Sequence, residues 1–364
     1  MPKPRILVTG ATGKTGSFVV AELLKTGHPV RALVHHEDIR SARLRAQGAE
    51  VAVADISDVE RVADALNDVQ GAYYCPPFDP YMIQGAAAFA VAAKESRLEY
   101  IVGLTQWLAS PSHPALMTRQ HWLADRLFSM IPGIAHTIVR PGFFADAYLV
   151  PIGLAAHLGL FPWIYGDSRN APPSNEDIAR VAVAALKSPA RHAGKVYRPT
   201  GPKLLGGKDI AGAVSLAVGR SVKLVPTPTW LFLKSARQAG LTIDLLSALR
   251  HYIEDHRRGA FELGAPTSDV LDVTGQPAED FTTIVRRYAA LPENRPTLKN
   301  KLRTFAKFLI APLETRLDLD RYERELRRPA PSEPQFAHES RIWRREHVLN
   351  AQASAVPDLH AQRA

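Results

Sequence analysis

Residues 5–16 read Arg-Ile-Leu-Val-Thr-Gly-Ala-Thr-Gly-Lys-Thr-Gly, and the fold turns on them. An apolar run, Ile6-Leu7-Val8, enters three glycines spaced GxxGxxG. Beyond them Phe18, Val19, Val20, Leu23 and Leu24 recur with helical period. The pattern predicts a strand, a sharp turn and a helix. Gly10 lets the chain turn off the strand, Gly13 lets backbone approach a phosphate, and Gly16 lets the helix lie close on the sheet. First-turn N–H groups then face an anion, helped by the helix dipole. That is a seat for a dinucleotide diphosphate. A mononucleotide P-loop, suggested by Gly13-Lys14-Thr15, needs a glycine where Val8 stands, and is excluded. A glycine-rich turn without a ligand would share the spacing, but βα units recur behind this one on schedule.

Strands are expected at 29–34, 50–54, 72–75, 100–104 and 136–140, with helices at 38–47, 59–66, 81–96 and 115–131. This alternation predicts an α/β doubly wound parallel sheet of the Rossmann type, with ligands at the C-terminal strand ends. After Pro141 the rhythm changes. Residues 161–166 read as aromatic loop and 175–186 as a helix. Short strands at 195–199 and 222–225 flank a helix near 209–218, and further helices lie near 230–257 and 278–290. The expected organisation is a nucleotide-binding domain over 1–150, a smaller α+β substrate lobe over 151–291, and a basic, partly helical tail over 292–364. Within that tail Leu298, Leu302, Phe305 and Leu309 share one helical face, with Lys299, Lys301, Arg303 and Lys307 elsewhere. Such a helix can lie on a membrane or a partner, but docking of its apolar face on the globular body is the favoured expectation. Residues 329–364 read as loosely ordered.

The chain has 364 residues, 46% of them apolar and 22% charged, the composition of a globular protein. No apolar stretch reaches the roughly 18 residues of a membrane span. The start, Met-Pro-Lys-Pro-Arg, leaves no room for a signal peptide, and Cys75 is the single cysteine. A reducing cytoplasm is therefore the expected location. The formal charge of +9 permits phosphate-rich partners, but the cations are scattered and no nucleic-acid signature accompanies them. A small-molecule substrate is the expected partner; nucleic acid and membrane are not. A homo-oligomer and a regulatory protein partner stay open. His251 and His256, five apart, do not share a helix face, and no metal site is expected.

Val-Thr-Gly-Ala-Thr-Gly-Lys-Thr-Gly (8–16), Val-Arg-Ala-Leu-Val (30–34), Gly-Ala-Glu-Val-Ala-Val-Ala-Asp (48–55) and His-Thr-Ile-Val-Arg-Pro-Gly-Phe-Phe (136–144) together carry a resemblance. Asp-Ile-Ala-Arg-Val-Ala (177–182) and Tyr-Arg-Pro-Thr-Gly-Pro (197–202) extend it. Over roughly residues 4–291 the chain resembles the NmrA-like branch of the atypical short-chain dehydrogenase/reductase superfamily. The resemblance implies a Rossmann core that binds NAD(P)(H) through Gly10, Thr12, Gly13, Lys14, Thr15 and Gly16. It also implies that Asp55 accepts from the adenine amino group and that Pro76 and Pro77 flank the nicotinamide ribose.

NAD-preferring Rossmann proteins end strand two with a carboxylate for the adenosine ribose. Here His35 and His36 stand there, with Arg40 and Arg43 following. These groups would accept a 2′-phosphate, which favours NADP over NAD, although Glu37 and Asp38 are close. A solvated strand end would explain the two histidines equally simply.

The superfamily's catalytic Tyr and Lys four residues apart are missing: no tyrosine has that partner, and no lysine lies between Lys94 and Lys187. The expectation is hydride transfer to a quinone-like or other conjugated acceptor. The alternative is a catalytically inactive, NADP(H)-binding redox sensor. Thr105 and His121 are the candidate catalytic residues, with His121 a proton donor or ribose ligand. Gln106, Trp107, Phe143, Phe144, Trp163 and Tyr165 are candidates for a planar-ligand pocket, although aromatics of this kind also build cores.

Overall fold

Ile6–Val8, fully buried, form β1 at the middle of a seven-stranded parallel sheet. The computed structural model describes residues 3–315 and 317–349. Units follow in regular alternation: α1 (Lys14–Lys25), β2 (Val30–Val34), α2 (Ile39–Ala46), β3 (Glu50–Val53), α3 (Val59–Ala65), β4 (Gly71–Tyr74) and α4 (Met82–Glu95). After these come β5 (Tyr100–Leu104), α5 (Leu116–Ser129) and β6 (Ala135–Val139). The chain then leaves the sheet through α6 (Ala145–Tyr148), α7 (Ile152–Leu158) and β7 (Leu160–Trp163). It returns through α8 (Asn175–Lys187) and α9 (Pro189–His192) to β8 (Val196–Tyr197). The sheet order is β3-β2-β1-β4-β5-β6-β8, so the topological switch lies between β1 and β4.

Side chains alternate across the strands. Ile6 and Val8 pack with Val19, Val20 and Leu23 of α1 and Ile178 and Val181 of α8. Leu7 points to the other face, among Val62, Phe89, Ile101 and Phe128 of the opposite layer. Burial on both faces explains why these strands read as continuous apolar runs.

The smaller lobe adds α10 (Gly207–Val218), β9 (Lys223–Pro226), α11 (Thr229–Gln238), α12 (Ile243–Arg257), α13 (Asp269–Thr274) and α14 (Phe281–Ala289). Three expectations change here. The aromatic stretch expected as loop begins as β7, paired in parallel with β9 from Leu160↔Lys223 to Trp163↔Pro226. The long helix near 230–257 is two helices, interrupted at Gly240, whose φ is +93°. The division at 150 is also crossed, because α8, β8 and Val270 of α13 belong to the main sheet and its core.

Beyond residue 291 come α15 (Leu298–Ile310), α16 (Leu319–Glu325) and α17 (Arg341–Arg344). The segment expected to be loose is packed over 335–347: Trp343 is 0% exposed and shares a core with Trp107, Leu108, Ala260 and Phe261. Residues 350–364 lie outside the described residues. Among the described residues no helix is long and apolar enough to cross a membrane.

Candidate active site

The site begins where β1 ends. Thr9 Oγ1 donates to the Cys75 carbonyl (3.1 Å) and accepts from the Cys75 N–H (2.8 Å), clamping the ends of β1 and β4 around the switch point. Gly10 follows at φ +60°, where a Cβ would stand 3.1 Å from that of Cys75. A Cβ on Gly16 would stand 2.2 Å from the Gly10 carbonyl oxygen, so α1 starts in contact with the turn itself. Gly13 caps α1 without a side-chain hydrogen bond, which leaves the first-turn N–H groups to an external acceptor. The cradle therefore fits a diphosphate. Thr12 and Lys14 border it, and Lys14 pairs with Asp146 of α6. Thr15 is buried, and its hydroxyl donates to Asn175 Oδ1 at 2.8 Å, fixing α1 against α8. Thr9, Asp146 and Asn175 went unnoticed in the sequence. Thr9 sits inside the glycine motif and could have been found; the other two lie more than 130 residues away, with no local signal.

At the adenosine end His35 and His36 are exposed, and His35 Nδ1 lies 3.8 Å from Asp55 Oδ2. Asp55 Oδ1 accepts from the Ser57 N–H (2.9 Å) and hydroxyl (2.6 Å), which hold its carboxyl below the usual range and leave Oδ2 free to accept. The cap of α3 is Asp58 rather than Asp55. Arg40 is committed to Asp38, the cap of α2, and draws that carboxyl down to about 2. Arg43 makes no ion pair among the described residues. Of the two guanidinium groups Arg43, rather than Arg40, is thus open to a 2′-phosphate, and His36 Nε2 lies 3.8 Å from Asp38 Oδ2.

At the other end of the crevice Pro76 and Pro77 lead off β4. The segment is tied to α5 by Gln120 Nε2, which donates to the Pro80 carbonyl (2.8 Å). Thr105 and Gln106 follow β5 and are buried. Thr105 Oγ1, Gln106 Nε2 and Gln120 Oε1 are buried without a hydrogen-bond partner among the described residues. Unpaired buried polar atoms are costly, and Thr105 and Gln106 stand at the C-terminal end of β5, the end at which a parallel sheet of this kind receives its ligand. Gln120 is an addition to the sequence-derived set. His121, one position on, faces Phe78 with ring centroids 6.4 Å apart. Burial, with Arg140 nearby, pushes its imidazole down to about 3. His121 is neutral at physiological pH. That suits a hydrogen-bond donor to a ribose or carbonyl and argues against an imidazolium acid.

The aromatic candidates divide. Gln106 Oε1 accepts from the Thr118 hydroxyl of α5 (3.3 Å), and its Nε2 has no partner among the described residues. Trp107 donates its indole N–H to the Ala260 carbonyl (2.8 Å), and its own carbonyl accepts from the Trp343 indole (2.7 Å). Phe143 sits at the border of two clusters, edge-on to Tyr148 and Tyr165, while Phe144 packs against the main sheet core. Trp163 and Tyr165 are core residues of the lobe, beside Tyr148 and a buried His256. His256 Nε2 accepts from the Tyr148 hydroxyl and Nδ1 meets Ser168 Oγ at 2.5 Å. No group of His, Cys, Asp and Glu suited to a metal occurs among the described residues.

The family can now be assigned. The profile of the NmrA-like family matches residues 2–102. An NAD(P)H azoreductase of Xenophilus azovorans is 32% identical over 292 residues, spanning 78% of this chain and 98% of the relative. The chain belongs to the NmrA-like family. Its fold is shared by an Escherichia coli NADPH-dependent quinone oxidoreductase solved with NADPH, at TM-score 0.68 and 23% identity over 78% of this chain and 99% of that one. The negative transcriptional regulator NmrA, solved with NADP, gives TM-score 0.65 at 17% identity over 79% and 95% of the two chains. NmrA-like folds thus include a reductase and a regulator, and this chain's own residues must decide between them.

Proposed function

We propose that this NmrA-like protein is an NAD(P)H-dependent reductase that delivers hydride to a conjugated small acceptor of the quinone or azo class. The observation that carries the reading is the uncapped diphosphate cradle at Gly13, at the β1/β4 switch point, with the unpaired side chains of Thr105 and Gln106 at the end of β5, the strand next to β4. The azoreductase relative, matched almost end to end, supports the same class of acceptor. When bound, the nicotinamide would supply two electrons and one proton as hydride. A quinone that takes hydride becomes a hydroquinone anion whose charge spreads over the ring, and solvent can complete the protonation. No tyrosine–lysine pair is then required. Gly10, Thr12, Gly13, Lys14, Thr15 and Gly16 would hold the diphosphate, and Asp55 the adenine. Thr105, with Gln106 and Gln120, would orient the carboxamide or the acceptor, and neutral His121 would donate its N–H to the ribose or acceptor. The exposed His35 and His36 side chains at the end of β2, with the Arg43 guanidinium that makes no ion pair among the described residues, favour NADPH over NADH. A reducing cytoplasm agrees with the single, half-buried cysteine, Cys75, whose thiol is pushed up to about 12 by desolvation.

The test is a fluorescence titration with NADPH followed by turnover on a panel of quinones and azo dyes. The expected result is micromolar or tighter binding with acceptor-dependent NADPH oxidation. Binding without oxidation of any acceptor would transfer the assignment to a redox sensor; absence of binding would end both readings.

A further inference from the structure

Helix α15 is mounted with its polar face inward. Asn300 and Thr304 are its only residues that are not exposed. Thr304 Oγ1 meets His157 Nδ1 of α7 at 2.7 Å, and Asn300 Nδ2 donates to the Pro292 and Arg295 carbonyls. At 100° per residue, the line Leu298, Leu302, Phe305 and Leu309 falls on the side away from that contact. These side chains are 74%, 60%, 49% and 54% exposed. The expectation that the apolar face would dock on the body is thereby reversed. Helices of globular proteins bury such a stripe, and a soluble surface seldom presents one this continuous.

Charge identifies what covers it. From 294 to 313 the chain carries Arg295, Lys299, Lys301, Arg303 and Lys307 and no Asp or Glu. Lys299 and Lys301 lie on opposite flanks of the stripe, where lysines can reach outward while the apolar residues point between them. The patch continues past the helix. Leu313 is 81% exposed, Lys234 Nζ of α11 donates to the Pro312 carbonyl at 2.7 Å, and Trp230 is 44% exposed with Lys234 over its ring. Leucine and phenylalanine flanked by lysines, with a tryptophan at the margin, is the composition that seats in the headgroup region of an anionic bilayer. Self-pairing of two such stripes would bring their cations together with no anion between them. We propose that α15 and the adjoining edge of α11 form a peripheral attachment site for anionic lipid surfaces. The protein would lie on the bilayer without crossing it. This inference is independent of the hydride chemistry.

The test uses the full chain in co-sedimentation with vesicles of phosphatidylcholine containing about a third phosphatidylglycerol, against phosphatidylcholine alone. Binding at least about tenfold stronger to the anionic vesicles is expected, weakening as salt rises. Leu302→Asp/Phe305→Asp should lose binding at least tenfold, and Lys299→Gln/Lys301→Gln should lose both affinity and salt dependence. All four side chains are exposed, so circular dichroism and NADPH titration should be unchanged in both variants. Failure of the parent protein to bind anionic vesicles at low salt would overturn the proposal, as would variants that bind like the parent. Sedimentation velocity showing a dimer that Leu302→Asp/Phe305→Asp dissociates would assign the stripe to a second copy instead, and so overturn it as well.

Discussion

His121 shows how burial selects among the roles open to one residue. Its imidazole is held down at about 3 by desolvation first and by Arg140 second, so it carries no proton to give at pH 7. It keeps an N–H. His121→Asn, which retains an N–H donor, should therefore lower kcat by no more than about tenfold, whereas losing a general acid costs roughly 10²–10⁴. The kcat–pH profile of parent and variant should match between pH 5.5 and 7.5. An inflection near 6.5 that vanishes in His121→Asn would restore the acid role. His35 offers a second residue-scale test. It stands 3.8 Å from Asp55 at the open end of β2, where a 2′-phosphate would lie. His35→Asp should weaken NADPH about tenfold or more, about 1.4 kcal/mol, and leave NADH equal or tighter, as paired fluorescence titrations would show.

Between elements, contact distances govern. A Gly16 Cβ at 2.2 Å from the Gly10 carbonyl cannot be absorbed by a flexible side chain, because the obstacle is backbone. Gly16→Ala should push α1 off the turn, cost about 1–3 kcal/mol in urea unfolding and abolish NADPH binding. In the tail, Trp343 is fully buried and bonded to the Trp107 carbonyl, and Glu346 reaches Arg140, itself bonded to Asp125 at 2.9 Å. Trp343→Ala should destabilise by about 3–5 kcal/mol in the same assay. A loss under 1 kcal/mol would remove the tail from the core.

These elements also show what was legible. The sheet and the glycine cradle could be read because strand, turn and helix signals are local and repeat. β7 was hidden, since Leu160–Trp163 becomes a strand only through its partner β9, some sixty residues on. The packing of Trp343 was hidden for the same reason: an Arg- and Pro-rich segment has no period, and its order comes from Trp107, more than two hundred residues away. The orientation of α15 is not legible in the sequence, because its amphipathic period fixes a stripe and not which side of the helix meets the body.

For the whole molecule, the buried histidines set the response to acid. Desolvation lowers His121 and His256 to about 3 and His136 to about 4, each from an ordinary 6.5, and takes His347 well below its usual range. A lowered base binds its proton later in the folded chain than in the unfolded one. Its stabilising contribution is therefore complete above pH 6.5 and is lost as pH falls from there toward the folded value. At pH 5 each of the three histidines with a stated value costs about 2 kcal/mol relative to pH 7, about 6 in all. Asp125 acts in the opposite sense. Burial raises it to about 6, so the folded chain takes up a proton there as pH falls from 6 toward 3.8, recovering about 1 kcal/mol by pH 5. The net loss of about 5 kcal/mol is comparable with the whole stability of many domains. The midpoint of urea unfolding, followed by circular dichroism, should fall steeply between pH 6.5 and 5 and change little from 6.5 to 8. His136→Asn/His256→Asn, measured against its own value at pH 7, should lose about 4 kcal/mol less across the acid window. A parent midpoint that is flat from pH 7 to 5 would mean that these imidazoles take up protons as readily folded as unfolded.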